Sequence, residues 1–135
     1  MKAPTPTIVL WVIAPGLMIY GLLSGLWPEF MAGHLQIELL TGSGRADYLA
    51  TYAGVPMALA LYLAYSVRRK WFRSGLICAG MVLTGFTAWR LTGVVTAGGA
   101  LTLFSWGALG IEAVGAALAF WALAGMGRTQ PAGGR

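Results

Sequence analysis

Residues 74–96 read SGLICAGMVLTGFTAWRLTGVVT, residues 97–100 read AGGA, and residues 101–126 read LTLFSWGALGIEAVGAALAFWALAGM. These two apolar stretches decide the fold. A helix rises 1.5 Å per residue, so about 20 apolar residues cross roughly 30 Å of hydrocarbon. Both stretches are long enough, and the short link between them makes them antiparallel neighbours. Each carries a single charge, Arg90 in one and Glu112 in the other. A charge at the centre of a membrane helix costs about 2.5–3.5 kcal/mol on insertion scales, so it faces a partner or a cavity and marks a candidate functional site.

The rest of the chain repeats the pattern. Of 135 residues, 58% are hydrophobic and 10% charged, against about 25% charged in soluble domains. Four spans are expected, at about 7–27, 47–67, 74–96 and 101–126, giving an all-α integral membrane four-helix bundle in a single domain, 1–135, with residues 127–135 as a disordered tail. The first stretch continues its apolar run from Leu17 to Leu26 without a cleavage-like site, so it reads as a retained span and not a signal peptide. Pro15-Gly16 predicts a kink within it, and Pro56 a bend in the second span. Gly21 and Gly25 form a small-x-x-x-small face suited to close helix packing.

Residues 28–46 form the one substantial loop. Leu35-Gln-Ile-Glu-Leu39 alternates apolar and polar and fits a short extended piece, with an amphipathic helix over 29–40 as the alternative. Thr41-Gly-Ser-Gly44 reads as a turn, after which Asp47 sits near the start of the second span, where the helix dipole favours an acid.

The charges fix the expected orientation. Arg68, Arg69, Lys70 and Arg73 crowd one short turn, joined on the same side by Lys2, Arg128 and Arg135, while Arg45 alone lies on the other. This positive-inside bias predicts cytoplasmic N and C termini and a place in the plasma (inner) membrane. Tryptophans near span ends fit interfacial belts, with Trp89 the exception. A nucleic-acid binder would spread its Lys and Arg over one face among aromatics, so the +5 net charge does not point to nucleic acid. Cys78 stands alone and His34 is the only histidine, so there is no disulfide framework, no metal site and no expected cofactor. Phosphate-loop and nucleophile-elbow motifs are absent.

Helical rise places Arg90 about 9 Å below the outer end of its span and Glu112 about 16 Å below the end of its own. The gap of roughly 7 Å is within reach of an extended arginine, which makes an Arg90–Glu112 pair available. Tyr20 and Tyr52 fall at similar levels in the first and second spans, and Thr51, Thr87 and Thr92 offer hydroxyls. Three readings of this cluster stand side by side. It is a register-fixing ion pair, a pocket for a lipid-like or quinone-like ligand or a partner helix built on Tyr20, Tyr52, Arg90 and Glu112, or a path for protons or ions. An accessory subunit of a membrane complex, or a homo-oligomer, follows from the small-residue faces. A membrane enzyme using Glu112 as acid or base lacks a second catalytic group.

The chain resembles the bacterial four-helix membrane family called domain of unknown function 4345, which is similar to the wider DoxX-like group. The resemblance runs from the first span to the fourth. It rests on Trp-Pro-Glu-Phe (27–30), Leu-Gln-Ile-Glu-Leu (35–39), Ala-Asp-Tyr-Leu-Ala-Thr-Tyr-Ala-Gly (46–54), Trp89-Arg90-Leu91 and the lone fourth-span acid Glu112. The family's second span typically opens Arg-Ala-x-Tyr-Gly-Gly. Tyr52 and Gly54 match it, but Leu49 stands where the arginine is expected, Ala53 replaces a glycine, and Trp89 replaces the glycine before the third-span arginine. A site that uses two arginines in the family would have one here, which points to a neutral Arg90–Glu112 pair and away from an anion trap. The DoxX-like resemblance implies an association with membrane redox complexes.

Overall fold

Pro6 sits in the first turn of the first helix, where a missing N–H costs nothing, and α1 then runs unbroken from Pro6–Leu26 with Pro15 inside it. This is a computed structural model, and it describes residues 4–39, 41–96 and 102–127. Among these, every regular element is helical and no strand occurs. Four helices are long and apolar enough to cross a membrane: α1; α3, Gly42–Arg68; α4, Phe72–Thr96; and α5, Leu103–Gly127. A short helix, α2, Pro28–His34, lies between the first two. The expected turn at 97–100 and the tail beyond Gly127 lie outside the described residues, as do Lys2, Arg128 and Arg135.

The loop at 28–46 contains more helix than its residues suggest. Pro28 interrupts α1 and immediately serves as the first residue of α2. Gln36 adopts a left-handed φ of 57°; its N–H donates to the Gly33 carbonyl (3.1 Å) and that of Ile37 to the Ala32 carbonyl (2.9 Å), which closes the helix end. The chain is then non-helical through 37–39, and Leu35, Ile37 and Leu39 pack on Met31, Ala32 and Tyr48. The alternation in 35–39 is thus a surface for packing, while the helical alternative is realised only up to His34. Glu29 of α2 and Arg45 of α3 form an ion pair that ties the loop to the second span.

The reading of Thr41-Gly-Ser-Gly44 as a turn is corrected. Thr41 is an N-cap whose Oγ1 accepts from the Gly44 N–H (3.0 Å), and α3 begins at Gly42. Asp47 consequently lies well inside the helix and not at its start. Farther on, residues Leu49–Gly54 widen into a π-helical segment in which the Val55 N–H donates to the Ala50 carbonyl five residues back. The physical reason is Pro56, which has no N–H and whose ring collides with the carbonyl four residues earlier in a regular α-helix. The wider turn ahead of Pro56 absorbs the conflict, and Val55–Arg68 continues as α-helix.

The bundle is made of two tightly packed antiparallel pairs, α1 with α3 and α4 with α5. Glycine sets the approach in both. A Cβ on Gly21 would lie 2.6 Å from Met57 Cγ and 2.9 Å from the Ala53 carbonyl oxygen, so α1 presses directly on the π segment. The Gly21–Gly25 face is therefore occupied within the chain. At Gly80 the ring of Phe120 fills the space of the missing side chain. Toward the basic end, Val9, Leu10, Ala14, Leu63, Leu76, Ala79, Ala119 and Ala122 form a core to which all four long helices contribute. A second, smaller core of Met31, Ala32 and Tyr48 closes the opposite end.

Candidate functional site

Between these two cores each long helix contributes a polar side chain. Tyr20 follows Ala14 on α1, Tyr52 precedes Leu63 on α3, Arg90 follows Ala79 on α4, and Glu112 precedes Ala119 on α5. The α4–α5 hairpin places Arg90 and Glu112 face to face. Arg90 Nε donates to Glu112 Oε2 (3.0 Å) and Arg90 Nη2 to Glu112 Oε1 (2.7 Å). This is a parallel fork, the geometry in which guanidinium and carboxylate match best. The side chains are 23% and 13% exposed, so the pair is largely withdrawn but not sealed. Arg90 Nη1 makes no hydrogen bond among the described residues, which leaves donors for an incoming oxygen.

The tyrosines belong to the other helix pair. Tyr20 and Tyr52 pack against Tyr48, and the Tyr48 and Tyr52 rings stack at 4.9 Å between centroids. Both Tyr20 and Tyr52 lie within electrostatic reach of the Arg90 guanidinium. Of the four residues expected from the sequence, Arg90 and Glu112 are thus in direct contact, while Tyr20 and Tyr52 lie within electrostatic range of Arg90 and make no hydrogen bond to the fork among the described residues. The threonines do not join them. Thr87 donates to the Leu83 carbonyl (2.8 Å) and Thr92 to the Ala88 carbonyl (3.0 Å), each one turn back on its own helix, and Thr51 is exposed.

Two residues of the layer escape the sequence reading. Ser24 and Tyr48 are 0% and 3% exposed, and neither hydroxyl completes a hydrogen bond of ordinary geometry. The Ser24 hydroxyl lies near enough to the Tyr20 and Tyr48 phenols to interact with both. An unpartnered buried hydroxyl costs about 1–3 kcal/mol. The signal available in the sequence was spacing: Ser24 follows Tyr20 by four residues and Tyr48 precedes Tyr52 by four, so each pair shares a helix face. Trp89, by contrast, points away from the layer and is 78% exposed.

The basic residues 68–73 gather at the other end of the bundle. Arg69 Nε donates to the Tyr65 hydroxyl (3.2 Å), and its guanidinium lies over the Tyr65 ring. Lys70 takes a left-handed φ of 59°, with its N–H on the Val67 carbonyl and the Trp71 N–H on the Ser66 carbonyl. Among the described residues no group of three or more His, Cys, Asp or Glu could hold a metal ion.

Fold and site together define a class: a small helical protein of the multi-pass membrane type, with four spanning-length helices and a polar layer between two apolar cores. Residues 6–123 match the family described as Domain of unknown function (DUF4345), and the chain belongs to that family. No curated protein and no solved structure matches it.

Proposed function

We propose that this is a non-enzymatic integral membrane protein that binds a lipid-like or quinone-like molecule, or a partner helix, through Tyr20, Tyr52, Arg90 and Glu112. The observation that carries this reading is the set of unused donors in the polar layer. The Arg90–Glu112 fork leaves Nη1 unbonded among the described residues, and the Tyr48 and Ser24 hydroxyls are buried without completing a hydrogen bond of ordinary geometry. A neutral fork with spare N–H groups suits a ligand that presents carbonyl or hydroxyl oxygens, and apolar helices on every side suit a ligand with a hydrocarbon body. The resemblance to DoxX-like proteins favours a quinone within that class. In this reading the basic turn at 68–73 faces the cytoplasm and the polar layer lies in the outer half of the plasma membrane.

Native mass spectrometry of protein solubilised in mild detergent tests the reading. Wild-type protein is expected to retain a lipid or quinone that the Arg90→Leu, Glu112→Leu double variant releases while staying folded. Wild-type protein carrying nothing, or a double variant that retains the same molecule, overturns it. The alternative, an accessory subunit whose Arg90–Glu112 pair is purely structural, is favoured by the open positions at Gly107 and Gly110 of α5, where nothing lies within 4 Å. Purification from native membranes would then yield a stoichiometric partner.

A further inference from the structure

At the basic end of the bundle an open groove of about 460 Å³ runs between the α3–α4 turn and the end of α5. Lys70 and Arg73 line it, with Trp71, Phe72, Ser74 and Met126. We propose that this groove binds the phosphate headgroup of an anionic phospholipid.

Charge is the first argument. The chain has four acidic residues, Glu29, Glu38, Asp47 and Glu112, and none lies between Tyr48 and Ile111 or beyond Glu112. Glu112 is committed to Arg90. The Lys70 and Arg73 side chains make no ion pair or hydrogen bond among the described residues, whereas the neighbouring Arg69 side chain is held by Tyr65. Two uncompensated cations therefore line one concavity at the membrane-surface end of the helices, an arrangement that attracts anionic headgroups. The turn itself is fixed. The paired bonds of Lys70 and Trp71 to Val67 and Ser66 set where both side chains leave the backbone, and the Trp71 ring stands edge-on to Tyr65 at 5.6 Å.

The lining chooses a lipid over free phosphate. Trp71 and Phe72 supply aromatic surface at the level where such rings meet headgroups, and Met126 supplies apolar surface for the glycerol and first methylenes of an acyl chain. A bare phosphate ion uses none of these. Ser74 Oγ, already 2.6 Å from the Tyr62 hydroxyl of α3, has lone-pair capacity left and is held facing the groove rim.

The test is competitive lipid retention, read by native mass spectrometry of the full chain released from nanodiscs of equal parts phosphatidylglycerol and phosphatidylcholine. Wild-type protein is expected to retain phosphatidylglycerol preferentially. Lys70→Gln and Arg73→Gln are each expected to cut the preference by about fivefold, as one cation at a membrane surface contributes. Lys70→Arg with Arg73→Lys is expected to keep it. Arg68→Gln and Arg69→Gln each remove the same single charge outside the groove, and each is expected to leave the preference unchanged. An equal loss in either control, or no preference in the wild type, overturns the proposal. So does protein in pure phosphatidylcholine discs that binds inorganic phosphate through Lys70 and Arg73, because the site would then take the free ion.

Discussion

Arg90 on α4 and Glu112 on α5 meet as a two-bond fork, 3.0 and 2.7 Å long, between two apolar cores. Each partner removes the desolvation burden of the other. Removing one leaves a buried charge alone, which costs about 3–5 kcal/mol, whereas replacing both with apolar residues of similar size is near neutral. Arg90→Leu and Glu112→Leu are therefore each expected to lower the unfolding free energy strongly, and the double variant to recover most of it. A double-mutant cycle by unfolding in mixed micelles measures the coupling. Additive single effects would show that the pair is not coupled.

The buried Tyr48 hydroxyl, which completes no hydrogen bond of ordinary geometry, gives a prediction of opposite sign. Tyr48→Phe keeps the ring stacked on Tyr52 and removes a buried hydroxyl whose approach to Ser24 falls short of ordinary hydrogen-bond geometry. Ligand-free protein is expected to gain about 1 kcal/mol. If the hydroxyl serves the proposed ligand, the same variant retains less of it. Thermal unfolding with and without the co-purified molecule separates the two effects.

Gly21 is a point of close approach of α1 to α3. Gly21→Ala places a methyl group against the Ala53 carbonyl and Met57, and a loss of about 1–3 kcal/mol is expected from the forced separation. Gly85→Ala meets nothing within 4 Å and is expected to stabilise its helix by about 0.5–1 kcal/mol. Comparing the two by thermal unfolding distinguishes packing from propensity. Equal effects would contradict the close approach at Gly21.

Gln36 holds a left-handed φ of 57° at the end of α2, a conformation costly for a residue with a Cβ. Gln36→Gly removes that strain and is expected to raise stability by about 0.5–1 kcal/mol, partly offset by the greater freedom of glycine in the unfolded chain. The measurement is the unfolding midpoint. A fall would mean that the side chain of Gln36 contributes more than its backbone costs.

Much of the fold was legible because hydrocarbon imposes a coarse rule. A span must be long and apolar, and isolated charges stand out against it. Arg90 and Glu112 were visible for that reason, and their pairing followed from helical rise and a short connection. The loop was less legible. Thr41-Gly-Ser-Gly44 carries turn residues, yet Thr41 caps a helix, because the same side-chain oxygen that favours turns also accepts a helix N–H. Ser24 and Tyr48 passed unnoticed because a serine or tyrosine in an apolar run carries no charge to mark it. Their burial depends on the close approach at Gly21 and on the packing of Leu35, Ile37 and Leu39 over Tyr48.

By itself the sequence determined four spanning-length helices, an asymmetric placement of basic residues and two opposite charges at compatible depths. Length, hydropathy and helical rise act locally along the chain and need no partner. Only the tertiary structure decided that Pro56 is accommodated by a π segment and that Gly21 and Gly25 face Ala53 and Met57 in the same chain. It also decided that three tyrosines, a serine, an arginine and a glutamate gather in one region of the bundle. Those outcomes depend on how closely helices approach and how each is rotated about its axis, and both are set by contacts between residues far apart in sequence.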